Sequence, residues 1–162
     1  VADKPFAVGD WIQTSTLEGV VEDISLRSTR IRTFKDALVV VSNSSLAADE
    51  ITNWSRMNKR RVEMTLGFTY QTSRETLGKV VEGIRELLKS DENVVGDPTV
   101  AFNEFGESSL NVTVSYFLNQ TGYADYIRLK EQLNFQIMDL CESLGADFAF
   151  PSRTVYLEGG KS

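Results

Sequence analysis

Arg61-Val62-Glu63-Met64-Thr65-Leu66-Gly67-Phe68-Thr69-Tyr70 is the run on which the fold turns. Val62, Met64, Leu66, Phe68 and Tyr70 recur at every second residue, the period of a strand that buries one face. The period then changes. Thr72-x-x-Glu75 has the form of a capping box. Behind it Leu77, Val80, Val81, Ile84, Leu87 and Leu88 return at helical spacing, one apolar stripe. Asp97-Pro98 ends the connection. Thr99–Phe105 reads as a strand, Gly106–Ser109 as a tight turn, and Leu110–Leu118 as a strand of clean period two. A second helix is expected from about Asp125 to Leu144. Its core face is Ile127, Leu133, Ile137, Leu140, Cys141 and Leu144, with Gly145 at the C′ position. Thr154-Val155-Tyr156-Leu157 is a last strand. The order β-α-β-β-α-β over residues 59–158 is that of a ferredoxin-like α+β domain.

Upstream, residues 1–58 carry a different pattern. Strands are expected at Trp11–Thr14, Leu17–Ile24, Thr29–Thr33, Ala37–Ser42 and Ile51–Trp54, with turns at Gly9-Asp10 and Lys35-Asp36. Asn43-Ser44-Ser45 punctuates the fourth and fifth. Gly19 inside a strand marks a bulge or a close backbone approach. Short strands at this spacing suggest a small β-barrel, because closing the sheet removes exposed edges. Arg30 and Arg32 flank Ile31 on one strand face, and their expected partners are Glu22, Asp23 or a neighbouring subunit.

Composition narrows the chemistry. The chain has 162 residues, 41% hydrophobic and 25% charged, so it can bury a core. Its net charge of −6 disfavours nucleic acid and anionic headgroups, which demand a cationic face. There is no histidine, which removes the commonest general base and metal ligand. The single cysteine, Cys141, falls on the apolar side of a helix and reads as an inert core residue. No metal-ligand spacing and no phosphate-cradling glycine loop occurs. Glu104 and Glu107 form a carboxylate pair, but they flank a turn, where charge is ordinary. No stretch is apolar enough to span a membrane, and the start at Val1-Ala2-Asp3 reads as the beginning of a piece of a longer protein. Residues 159–162 read as a tail.

Three further runs resemble one family. They are Pro5-Phe6-Ala7-Val8-Gly9-Asp10-Trp11-Ile12 with Gly19–Ile24, Arg27–Thr33 leading into Leu38–Ser44, and Phe150-Pro151-Ser152-Arg153-Thr154-Val155-Tyr156-Leu157. Asn53-Trp54-Ser55-Arg56 and Asn103–Ser109 lie between them. In this order the chain is similar to the cytoplasmic region of the small-conductance mechanosensitive ion channels. The resemblance implies a non-enzymatic protein without cofactor, metal or nucleic-acid partner. It implies an Sm-like β domain at 1–58 and the α/β domain at 59–158, assembled as a homo-heptamer at the cytoplasmic face of the inner membrane. Membrane contact is through helices that this chain lacks. The cage passes ions and small osmolytes, and C-terminal strands, here Thr154, Val155, Tyr156 and Leu157, meet in a shared barrel.

Arg56, Lys59, Arg60 and Arg61 form the basic cluster at the join of the halves, and an exposed linker explains such a cluster. The resemblance adds a role: Arg60, Arg61, Glu63 and Glu104 line the lateral openings of the cage. The family pattern Ile-Pro-Asn is replaced by Val41-Ser42-Asn43, which adds an amide donor where proline has none. Two rivals remain at this stage, an Sm-like RNA-binding ring and a small acylphosphatase-like hydrolase.

Overall fold

The computed structural model describes residues 5–151. They form two compact units that part between Met57 and Asn58. Thr154–Leu157 and the tail at 159–162 lie outside the described residues.

The first unit is a five-stranded antiparallel sheet. Its strands are β1 (Trp11–Gln13), β2 (Glu18–Ile24), β3 (Ser28–Thr33), β4 (Leu38–Ser42) and β5 (Thr52–Asn53), in the order β4-β3-β2-β1-β5. The alternation Arg30-Ile31-Arg32 sends Ile31 inward, opposite Val21, and Ile12 completes the core. Phe6, Leu17, Val41 and Ile51 pack around these three. Gly19 is a close approach: a Cβ there would lie 2.4 Å from the Arg32 carbonyl oxygen. The bulge falls instead between Val21 and Asp23. Among the described residues β4 and β5 are both edges, so the expected barrel is seen as a sheet with two ends.

Two expectations need correction here. Asn43–Ala47 is a helical turn, α1, rather than mere punctuation. Ser42 is the reason: its hydroxyl accepts from the Ser45 amide at 3.3 Å and caps that turn. Trp54 belongs not to β5 but to a 3₁₀ turn, Trp54–Arg56, because the Asn53 side chain accepts from the Ser55 amide at 3.0 Å and turns the chain.

The second unit has the strands β6 (Arg60–Phe68), β7 (Val94–Phe105) and β8 (Leu110–Leu118) in the antiparallel order β6-β8-β7. The helices α2 (Arg74–Ser90) and α3 (Tyr123–Ser143) supply Leu77, Val80, Ile84, Leu88, Leu133, Ile137 and Cys141 to one core. That core lies on a single face of the sheet, against Val62, Phe68, Val112, Val114 and Tyr116. This is the expected order β-α-β-β-α-β as far as its second helix; the last expected strand lies outside the described residues.

The differences are local. α2 begins one residue later than the capping box implied: Ser73 accepts from the Thr76 amide at 3.1 Å, while Glu75 pairs with Lys79 at 3.3 Å. β7 starts at Val94, so Asp97-Pro98 lies inside a strand, at a register shift between Val95 and Thr99. Proline is tolerated there because β7 is an edge. Ile127 is not core but 38% exposed, since it sits off the stripe that ends at Cys141. Gly145, at φ +69°, closes α3 as expected, and the Ala146 amide donates back to the Cys141 carbonyl at 3.0 Å.

Candidate functional site

With both helices on one side, the β6-β8-β7 sheet leaves its other face free of them. Strand alternation assigns residues to it. Val62 and Phe68 are buried against the helices, so Arg61, Glu63 and Thr65 point away. On β8 the opposite residues are Phe117, Ser115 and Thr113. On β7 Glu104 opposes Asn111, after a second register shift between Phe102 and Glu104.

Three of the four residues expected at lateral openings therefore share one sheet face: Arg61, Glu63 and Glu104. Arg61 Nη2 lies 3.3 Å from Glu63 Oε1, with the side chains 55% and 59% exposed. Arg61 Nε also donates to Ser115 Oγ at 3.4 Å. Lys59 extends onto the same face and holds its ammonium 4.2 Å above the Phe117 ring. Glu104 stands apart. Strand spacing of about 4.8 Å and rise of about 3.4 Å put it about 16 Å from Glu63. The face is thus a band of exposed charge of both signs, not a converging acid–base pair.

Arg60 does not join it. As the chain neighbour of Arg61 it turns to the helix side, where Nη1 donates to the Thr121 carbonyl at 3.1 Å. Its guanidinium lies 4.3 Å from the Tyr126 ring centroid. The aromatic partners of Lys59 and Arg60 were missed in the sequence. Phe117 at a polar phase of β8 was the available signal for the first, and only packing reveals the second.

In the first unit the expected pairing of Arg32 is present. Arg32 Nε and Nη2 donate to the two Glu22 oxygens at 2.8 and 3.2 Å. The Arg32 hydrogen bonds hold the Glu22 carboxyl below its usual range. Asp10 is held low as well, by the Asn53 side chain and then the Ala7 amide, each donating at 2.9 Å. Glu22 links β2 to β3, and Asp10 ties the turn before β1 to β5; both carboxylates are structural. A cavity of about 380 Å³ lies between Phe6, Ile24, Leu46 and Ile51. At its wall Thr29 donates to Asn43 Oδ1 at 2.7 Å, so these two polar groups satisfy each other. Cys141 is fully buried and desolvation raises its thiol pKa, which leaves it an unreactive core residue. Among the described residues no group of three or more potential ligands could hold a metal, and no helix is long and apolar enough to cross a membrane.

Comparison with known proteins gives this arrangement a lineage. Residues 1–56 match the mechanosensitive ion channel beta-domain, and residues 62–148 match the mechanosensitive ion channel MscS C-terminal domain. The chain belongs to the MscS family of mechanosensitive ion channels. The two matches fall one on each compact unit. MscS-family proteins are channels, not enzymes. The small-conductance mechanosensitive channel MscMJ of Methanocaldococcus jannaschii is 40% identical over 156 residues, covering 96% of this chain and 45% of that protein. The low conductance mechanosensitive channel YnaI of Escherichia coli is 38% identical over 160 residues, covering 96% and 46%. The chain thus spans less than half the length of these curated relatives. The crystal structure of Helicobacter pylori MscS in a closed state superposes with a TM-score of 0.74 at 25% identity, over 96% of this chain and 60% of that one. The cryo-EM structure of Arabidopsis thaliana MSL1 shares the fold, with a TM-score of 0.84 at 20% identity, over 91% and 54%.

Proposed function

We propose that this chain is the cytoplasmic vestibule portion of a mechanosensitive channel, at the inner face of the cell membrane. The observation that carries the proposal is the pair of family matches, one on each compact unit, together with near-complete coverage by channels such as MscMJ. In this reading residues 1–58 form an Sm-like β domain and residues 59–158 a ferredoxin-like domain completed by Thr154–Leu157. Seven copies build a hollow cage beneath the pore. The edges β4 and β5 of the first unit are surfaces that such a ring needs, since an unpaired edge seeks a partner. The cage holds the pore-lining helices in register and passes ions and small osmolytes released on osmotic downshock. Arg61, Glu63 and Glu104 line the lateral openings from the helix-free sheet face, and Arg60 buttresses the strand from behind.

Native mass spectrometry of the detergent-solubilised full-length protein tests the assembly. Seven subunits are expected. A strict monomer at every protein concentration would overturn the proposal.

A further inference from the structure

Two runs of the sequence, Gly9-Asp10-Trp11-Ile12 and Asn53-Trp54-Ser55-Arg56, take no part in the sheet face assigned to the lateral openings. The fold brings them together. β1 and β5 are paired neighbours, with Ile12 opposite Asn53. Asn53 is where three segments meet. Its Nδ2 donates to the Pro5 carbonyl at 3.0 Å and to Asp10 Oδ2 at 2.9 Å, and its Oδ1 accepts from the Ser55 amide at 3.0 Å. The partners fix which way the carboxamide points, because a carboxylate and a carbonyl only accept and a backbone amide only donates. Two further bonds close the knot. The Ala7 amide donates to Asp10 Oδ2 at 2.9 Å, and the Trp11 amide donates to Ser55 Oγ at 2.8 Å.

The knot ties the two ends of the first unit to each other. Pro5 and Asn53 are 48 residues apart in the chain. Pro5 lies at the start of the unit, and Ser55 stands just before Met57, where the unit ends. Along the backbone the path between them runs through the whole five-stranded sheet. Through Asn53 it is a single side chain. Pro5–Ala7 precede β1 and belong to no strand, so no ladder bond holds them. Phe6 packs on the core and the Asp10 amide donates to the Ala7 carbonyl at 3.0 Å, which fasten the entry to the sheet. Asn53 adds the fastening to the exit. Pro5 has no amide hydrogen, so its carbonyl is the one backbone group it can offer.

We infer that Asn53 is a positioning residue for gating: it holds the segment that enters the first unit in fixed relation to the segment that leaves it, so that movement imposed on Pro5 is carried to the chain leading into the second unit. The inference rests on the proposed channel reading, in which the chain ahead of Pro5 comes from the pore-lining helices. The tie makes the entry carry whatever load the exit carries. A pore released from that load opens at lower tension.

The test compares two variants of the full-length channel. Asn53→Ala removes all three bonds of the carboxamide. The exchanged pair, Asp10→Asn with Asn53→Asp, turns the central bond round. A carboxamide at position 10 donates to a carboxylate at position 53, which still accepts from the Ser55 amide, and the carboxamide oxygen remains for the Ala7 amide. The Pro5 carbonyl loses its donor in both variants. Thermal unfolding reads stability, and pressure ramps under patch clamp read the threshold. Asn53→Ala should unfold at lower temperature than the parent, and the exchanged pair should recover at least about half of that loss. Both variants should open at lower pressure than the parent, by the same shift. If Asn53→Ala does not assemble, the exchanged pair carries the test alone. A pair that regains the parent threshold together with its stability would overturn the inference, because Asn53 would then act through stability only. So would a parent threshold in Asn53→Ala. A full-length parent without stretch-activated current would remove the channel reading and this inference with it, which keeps the two failures apart.

Discussion

Arg60 and Arg61 are adjacent in the chain and opposite in role. One turns toward α3, where a carbonyl and the Tyr126 ring hold it half-buried; the other stays on the exposed face beside Glu63. The sequence shows both as members of one basic cluster. Strand periodicity already pairs Arg61 with Glu63 and so sends Arg60 the other way; what periodicity cannot show is the carbonyl and the rings that receive it. The consequence is measurable. Arg60→Ala loses a hydrogen bond from a charged donor and a cation–π contact, together about 1–3 kcal/mol. Arg61→Ala loses an exposed pair and should stay within about 0.5 kcal/mol of the parent. Urea unfolding of the second unit's transition checks both; equal losses would contradict the opposite placement.

At the scale of elements, legibility followed the length of the periodic signal. The stripe Leu77–Leu88 and the alternation Leu110–Leu118 placed α2 and β8 with little error, because each repeats its period several times. Short features were harder. α1 has five residues and no stripe to read, and it exists because Ser42 caps it. The start of α2 was displaced by one position, since Thr72 and Ser73 are both able caps and only the backbone geometry decides between them. β7 looked shorter than it is because Pro98 reads as a stop, and the edge position that excuses it is a tertiary fact. The cap assignment makes a prediction. Ser73→Ala should cost about 0.5–2 kcal/mol and Thr72→Ala much less. Thermal melts of the two variants decide it, and the reverse order would restore the capping box at Thr72.

At the scale of the whole molecule, the hydrophobic period of the sequence changes near residue 59, and the structure parts into two compact units between Met57 and Asn58. The family was legible in quoted runs such as Gly9-Asp10-Trp11-Ile12, which no periodicity argument requires. The proposed ring was not legible from periodicity, because a ring needs surfaces supplied by other copies, and Thr154–Leu157 lie outside the described residues. The candidate openings stand between these cases. Periodicity already set Arg61 and Glu63 on one face with Arg60 behind it, but only the strand register brought Glu104 to that face. The central claim is that this face meets the stream of ions on its way to the pore. On the proposed reading, charges there would act through water with a screening length of about 8 Å at physiological salt, so the bias expected on ion entry is modest. Patch-clamp recording of the full-length channel carrying Glu63→Lys with Glu104→Lys tests this directly. The reversal potential in a salt gradient should move toward anion preference while the pressure threshold stays at the parent value. An unchanged reversal potential at normal expression would contradict the claim and remove these carboxylates from the conduction path.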